Sequence, residues 1–281
     1  MASCSGTGDG GDAGGPLLRE TVTSGVHVRP PLGAARPFVA SIPHGSDLIP
    51  QRFASQMLLA EGLRSDAYTP EVYGFVAELG ATVVEAALSR YVADPNRDLA
   101  APTFGPFPRG IVASTDGWRP LYADDLPPDA VAERIAVAHT AYHRALDEAL
   151  ASHLAATDRV LLLDLHSFGV PLDTDVVLGD AHGSTAPGEV VMLLQEALAD
   201  AGFRVTRNRR FTGGWIVRRF AGVAAVDAVQ VEVNKRLYAD EAAVADRRRQ
   251  VPRDPDRIGV LRERLRAAFG QALGAYEAWI G

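Results

Sequence analysis

The sequence predicts an α/β fold, a single domain with a mixed central sheet flanked by helices. Three observations carry this. Short β-branched runs alternate along the chain with segments of helical apolar periodicity. The run Val160-Leu161-Leu162-Leu163-Asp164-Leu165 has five apolar residues in six and no polar alternation, as expected of a strand buried on both faces. No internal repeat and no Pro/Ser-rich linker divides the 281 residues, and a hydrophobic content of 47% is ample for one core.

Taken in order, residues 1–16 are Gly-rich and small and are expected to be a disordered leader, leaving 17–281 as the folded domain. Phe38–Ile42 reads as a short strand, with Pro43-His44-Gly45-Ser46-Asp47 as the loop that leaves it. Helical periodicity follows over Gln51–Leu63 and Pro70–Leu79, joined through Arg64, Ser65 and Asp66. Thr82–Ala86 is a second strand. Residues 98–128 are rich in Pro and Gly and long for a plain connection, so they predict a border or lid beside a site. Asp129–Ala156 is a long amphipathic helix with Ile135, Ala138, Tyr142, Leu146 and Leu150 on one face. The buried strand at 160–165 is followed by a strand at Asp175–Leu178, a helix at Pro187–Ala201 and a strand at Phe203–Thr206. Ala228–Val233 is a further strand, and Arg257–Trp279 a C-terminal helix.

Composition removes several classes of function. The formal charge of −7 gives no general attraction to nucleic acid or to an anionic membrane. No apolar run approaches the ~20 residues that cross a bilayer, and the N-terminus lacks the basic and apolar regions of a signal peptide, so a cytoplasmic location is expected. Cys4, in the leader, is the only cysteine, so disulfides, cysteine-held zinc and a cysteine nucleophile are excluded from the core. Any metal must be held by histidines and carboxylates.

Three strand ends each deliver a group capable of chemistry: His44 after the first strand, His166 after the buried one, and Glu232 inside the last. In open α/β sheets, ligands gather beyond the carboxyl ends of the strands. In Val229-Gln230-Val231-Glu232-Val233, the Gln and Glu share one face and the valines the other. On a solvent face Glu232 is trivial; facing a cleft, it is a carboxylate of raised pKa suited to general-base work. Two histidines and one carboxylate that leave a fourth position to water make the arrangement of a catalytic zinc. Asp47, three residues after His44, and Asp66 are the two candidates for the carboxylate, and Asp66 also reads as a helix N-cap. Arg90, Asn96 and Arg97 form a second constellation, because arginine forks match carboxylates; ion pairs to Asp94 or Asp98 are the structural alternative. Five arginines fall within residues 207–219, where Gly213-Gly214 suggests close backbone approach to a ligand with Arg218 beside it. Few aromatics accompany these arginines, which argues against nucleic acid. Asp180 and His182 read as loop polarity and Arg247–Arg249 as a solvated face; His143, on the long helix, reads equally as a surface or core-edge histidine or a functional one, and His27, His139 and His153 have no partner in view.

A longer ordered set of short motifs runs through the same segments. It comprises Pro43-His44-Gly45; Asp66 with Tyr73 and Phe75; Gly80-Ala81-Thr82; Ser89-Arg90-Tyr91-Val92 with Asp94 and Asn96-Arg97; and Pro120-Leu121-Tyr122. It continues through Tyr142-His143, Asp164-Leu165-His166-Ser167, Leu178-Gly179-Asp180 with Gly183, Asn208 with Arg210-Phe211, Gly213-Gly214-Trp215-Ile216-Val217-Arg218, and Gln230-Val231-Glu232. Together these resemble the N-formylglutamate amidohydrolase (N-formylglutamate deformylase) family over roughly residues 38–235. The resemblance implies a catalytic domain with a fold similar to that of the zinc carboxypeptidases (phosphorylase/hydrolase-like). It implies one Zn²⁺ held by His44, Asp66 and His166, with Asp66 rather than Asp47 at the family's acidic position, and Glu232 as general base. It further implies Asn96-Arg97 on a substrate carboxylate, with Arg90 and Arg218 for a second one. The expected partner is a small N-acyl amino acid, N-formyl-L-glutamate first. The alternatives are a deacylase or carboxypeptidase-like hydrolase of another N-acyl amino acid, or a non-catalytic binder of acidic amino acids. Asp94-Pro95-Asn96-Arg97, where Asp-Leu-Asn-Arg is usual, and Trp215 for a commoner Tyr depart from the family pattern without removing a proposed ligand or base.

Overall fold

The structure, a computed structural model, describes residues 25–245 and 251–281; the Gly-rich leader and Arg247–Arg249 lie outside the described residues. Seven strands form one sheet: β1 (Val26–Arg29), β2 (Phe38–Ile42), β3 (Thr82–Ala86), β4 (Val160–Phe168), β5 (Val176–Gly179), β6 (Val205–Arg207) and β7 (Val226–Asn234). Their order is β1-β3-β2-β4-β7-β5-β6. The four central strands are parallel, while β1 lies antiparallel to β3 and β5 antiparallel to β7, so the sheet is mixed as expected.

The register of β4 against β7 governs the rest. Leu161, Leu163 and Leu165 share a face with Val229, Val231 and Val233, and pack against helices α1 (Gly188–Asp200) and α2 (Pro255–Ile280). The opposite face begins apolar, with Val160 and Leu162 beside Val226 and Ala228. It is covered by a helical stretch that precedes β4: Pro128–Arg134, a π-helical segment Ile135–Thr140, and Ala141–Leu154. Tyr142, Leu146 and Leu150 supply the apolar stripe that this second core needs. Two residues further along each strand that same face turns polar, with Asp164 opposite Gln230 and His166 opposite Glu232. Burial thus pins the register through the apolar half and fixes where the polar half falls, because a one-residue slip would exchange the two faces.

Several expectations change in detail. The β4 strand runs to Phe168, so Asp164 and His166 stand within it rather than beyond its end, because β7 pairs with it as far as Asn234. Gln51–Leu63 is helical only at Gln51–Ala54; Leu63 and Met57 instead pack as irregular chain around Tyr91, Leu121 and Tyr122. Pro70–Leu79 divides into a helical turn at Thr69–Val72 and a 3-10 turn at Gly74–Ala77, with Gly74, a poor helix former, at the break. Residues 98–128 contain two small two-stranded sheets, Phe104–Gly105 with Val112–Ala113 and Thr115–Asp116 with Arg119–Pro120. The β1 edge strand was too short and too exposed to leave a pattern in the sequence. No helix among the described residues is long and apolar enough to cross a membrane.

Candidate active site

His44 follows β2, His166 stands on β4, and Asp66 is brought to them by the segment between the first helical turns. That segment is pinned from several sides. The Asp66 amide donates to the His44 carbonyl at 3.0 Å, the Tyr238 hydroxyl to the Ala67 carbonyl at 2.8 Å, and the Thr69 hydroxyl to the Asp66 carbonyl at 2.8 Å. Asp66 is therefore not the N-cap of the helical turn at Thr69–Val72, which begins after Tyr68. Its carboxylate turns inward to His166 Nδ1, at 2.9 Å, and His44 Nδ1, at 3.5 Å. All three residues are buried, and one ligand atom from each lies within 4.8 Å of the others, a group able to hold a metal ion. Asp47 is exposed and faces a separate depression beside Gly45 and Tyr68, away from this group.

The outer nitrogens of both histidines are also held. His44 Nε2 donates to Asp94 Oδ1 at 2.7 Å, and His166 Nε2 to Asp164 Oδ2 at 2.9 Å. Each carboxylate fixes its ring from the Nε2 side, which leaves both Nδ1 atoms directed at Asp66, as in metal sites whose imidazoles are oriented by carboxylates. Ser41 on β2 donates to Asp164 Oδ1 at 2.7 Å, and the Tyr142 hydroxyl, 2.8 Å from Ser41 Oγ, donates to the Val84 carbonyl on β3 at 3.0 Å, so three adjacent strands and a helix share one network. Tyr73 locks the end of β4 by donating to the His166 carbonyl at 2.9 Å.

Electrostatics follow from this burial. Desolvation would raise the Asp66 carboxyl, but bonds and charge from His166 and His44 hold it well below the usual carboxylate range. Desolvation likewise opposes charge on His166, yet Asp164 and Asp66 lift its pKa well above the ordinary imidazole value. Glu232 is 6% exposed, on the polar face of β7. Burial pushes it up to about 7, with His166 pulling down and Asp66 pushing further up. Its Oε1 accepts a hydrogen bond from Gln230 Nε2 at 2.7 Å, and among the described residues Oε2 has no partner. The polar face of β7 meets a cleft, not open solvent.

These groups form the floor of a cavity of about 440 Å³. Asn96 enters it from the segment after Arg90, with Nδ2 at 3.2 Å from His166 Nε2 and Oδ1 accepting from the Ile216 amide at 2.9 Å. Arg90 and Arg97 line the wall, and both pair with Asp94. The structural reading of Arg90 is thus correct as far as it goes, since the same Asp94 holds His44. Phe107, Phe168 and Phe211 give apolar walls, the first of them from the Pro/Gly-rich border. Arg218 is not brought in: its guanidinium turns back to the Gly213 carbonyl and Thr212 hydroxyl at 2.7 and 2.8 Å, and it is absent from the lining. Arg64, Arg210 and Lys235 do line the cavity; Arg210 stands in the arginine-rich stretch and in the ordered motif set without a role of its own, and nothing in the sequence context of Arg64 or Lys235 marked them.

The N-formylglutamate amidohydrolase family model matches residues 36–239, well over half of the chain. The chain belongs to this family. Membership makes it a hydrolase acting on an amide. An N-formylglutamate deformylase of Pseudomonas aeruginosa is 34% identical over 223 residues, covering 74% of this chain and 84% of that protein. One of Pseudomonas putida is 28% identical over 259 residues, covering 86% and 95%. The solved structure of an N-formylglutamate amidohydrolase from Ralstonia eutropha JMP134 superposes with a TM-score of 0.79 at 24% identity, over 92% of this chain and all of that one, so the two share the fold.

Among residues without an assigned role in the sequence, Asp94 and Asp164 hold the histidines. Asp180 is buried and pairs with Arg207 and Asn208, anchoring the loop before Gly213. His139 and His143 each donate Nε2 to a backbone carbonyl, of Arg97 and Pro95, at 2.8 Å, and so hold the Asn96 segment from behind. No residue spacing could have shown those contacts, which cross from the helix to a loop.

Proposed function

We propose that this chain hydrolyses N-formyl-L-glutamate to formate and L-glutamate, with one zinc ion held by His44, Asp66 and His166. The observation that supports it most is the convergence of three buried donor side chains, each histidine backed by a carboxylate, next to a buried Glu232 with a free oxygen. This donor set, two imidazoles and one carboxylate, suits zinc and leaves room for a further ligand. Bound there, the metal would supply a water of lowered pKa and polarise the formyl carbonyl.

The remaining chemistry belongs to the chain. Glu232 Oε2 takes the proton of the attacking water and later returns it to the departing amine, a transfer for which a pKa near neutrality is suited. The Asn96 amide and the Arg97 guanidinium, at the cavity wall, hold the α-carboxylate and so fix the amide for attack. Arg90 keeps Asp94 charged and in place, and adds positive charge on the side where a dianionic substrate enters. The chain's own partner is in this reading a small anion, with no nucleic acid or membrane involved, and its place is the cytoplasm.

The test compares formate release from N-formyl-L-glutamate with acyl release from N-acetyl-L-glutamate, in wild type and in Glu232→Gln. Release of formate that falls by roughly 10²–10⁴-fold in the variant, with metal content unchanged, is the expected outcome. Acetate release without formate release would reassign the substrate, and binding of glutamate without release of either would make the chain a binder.

A further inference from the structure

The geometry points to Arg210 as the residue that selects a second, side-chain carboxylate on the substrate; this deepens the deformylase reading and rests on it. Of the five cations that line the cavity, four are already engaged. Arg90 donates to Asp94, and Arg97 to the Pro108 and Asn96 carbonyls at 2.6 and 2.9 Å, which leaves only its Nη2, 3.6 Å from Asp94, for the near carboxylate. Arg64 pairs with Asp116 at 3.1 Å, and Lys235 Nζ donates to the Ser65 carbonyl at 2.5 Å. Arg210 has neither a hydrogen bond nor an ion pair among the described residues, and it is exposed at the cavity's edge.

Its backbone is unusual as well. Arg210 has φ +72°, in the left-handed region that residues other than glycine and asparagine seldom adopt. Such a conformation persists where the surrounding chain enforces it, and it clusters at ligand-binding positions. The enforcement is visible on both sides. Asn208 donates from its amide to the Leu178 carbonyl at 2.7 Å and from Nδ2 to Asp180 Oδ1 at 2.5 Å. Beyond it, the Thr212 carbonyl accepts from the Ala181 amide at 2.7 Å, and the Gly214 amide donates to Gln230 Oε1 at 2.5 Å. A rigid loop thus presents one unpaired guanidinium to the cavity.

The shape of the substrate says what it is for. In N-formyl-L-glutamate the α-carboxylate sits on the carbon that carries the amide nitrogen, and the γ-carboxylate lies two methylenes further out. With the formyl group over His44, Asp66 and His166, the near carboxylate falls to Asn96 and Arg97, deep in the site. The far one extends toward the rim, past the Phe168–Phe211 pair, whose ring centroids are 5.2 Å apart and which offers apolar surface to the methylenes. Arg210 adjoins Phe211 and can meet the outer carboxylate bidentately.

The test measures kcat and KM for N-formyl-L-glutamate and the near-isosteric N-formyl-L-glutamine, in wild type, Arg210→Met and Arg210→Lys. Wild type is expected to prefer the glutamate compound by at least about tenfold in kcat/KM, since a neutral amide leaves the guanidinium unpaired. In Arg210→Met that preference collapses, through KM rather than kcat, and Arg210→Lys restores part of it. An undiminished preference in Arg210→Met, or no preference in wild type while formate is released from both compounds, overturns the assignment and leaves the deformylase reading standing. Release of formate from neither compound by wild type overturns the deformylase reading, and the role of Arg210 with it.

Discussion

Asp164 and Asp94 do not reach the cavity floor as ligands, yet each decides what a histidine offers there. A neutral imidazole has one donor and one acceptor nitrogen, and a carboxylate at Nε2 assigns the donor to that side. With the Asp164 charge removed in Asp164→Asn, His166 keeps a hydrogen-bond acceptor but loses the anion that orients and enriches it. Zinc affinity is expected to fall roughly 10–100-fold, measured by competition with a chromophoric chelator, while the far-ultraviolet spectrum stays that of wild type; an unchanged affinity would remove Asp164 from the account. At this scale much was legible in the sequence. His166 and Glu232 stood out because histidine and glutamate are costly inside otherwise apolar strands, and His44 because it directly follows the carboxyl end of one. The residues alone left Asp66 and Asp47 open, and only the family resemblance favoured Asp66, because the pinning of the segment at 64–69 that turns this carboxylate inward leaves no mark in the sequence. Arg218 misled for the same reason: an arginine beside a Gly-Gly pair can point either way, and here it caps its own loop.

At the level of elements, the site depends on close approach between the Gly213-Gly214 turn and the Asn96 segment. A Cβ on Gly214 would lie 2.4 Å from both Asn96 Nδ2 and Oδ1, far inside contact distance. The Gly214 backbone is extended, so space and not conformation requires glycine here. Gly214→Ala is expected to displace Asn96, lower kcat/KM by about tenfold or more, and cost roughly 1–3 kcal/mol of stability as an overpacked contact does; kinetics with chemical denaturation would show both, and a fully active, fully stable variant would refute the contact. The helical face at 128–154 was readable from its apolar spacing, whereas the π-helical segment Ile135–Thr140 was not. That segment carries His139, whose ring stands 4.5 Å from that of His143, and the two rings reach the Pro95 and Arg97 carbonyls. Periodicity reports which face is buried; it does not report that two polar rings on that face hold a loop. The short helix expected over Gln51–Leu63 failed for a related reason, since tertiary packing of its apolar residues overrode a local pattern.

Over the whole molecule, strand order and register convert one sequence pattern into one site. The paired strands β4 and β7 each change from apolar to polar on the same face at the same level, and the cores on either side hold that register. The alternation of strands and helices made the fold class legible; the order β1-β3-β2-β4-β7-β5-β6 was not, because which strands neighbour one another is decided by long-range pairing. Global stability should also report buried histidines. Burial lowers His143 to about 4, with His139 and Arg219 nearby adding to the shift. Its folded pKa lies below the ordinary value, so the unfolded chain binds more protons between about 6.5 and 4 and stability falls as pH drops through that window. The difference in unfolding free energy between wild type and His143→Gln should therefore shift by up to roughly 3 kcal/mol over that range, in the direction of greater acid sensitivity for wild type; parallel curves would contradict the burial of a neutral ring. The most direct test of the central claim is a zinc titration of chelator-treated protein, followed by formate release from N-formyl-L-glutamate. The account predicts no release without metal and a linear rise that breaks at one equivalent, with Asp66→Ala showing no such break. Full release from metal-free protein, or one tightly bound zinc with no formate released, would contradict it.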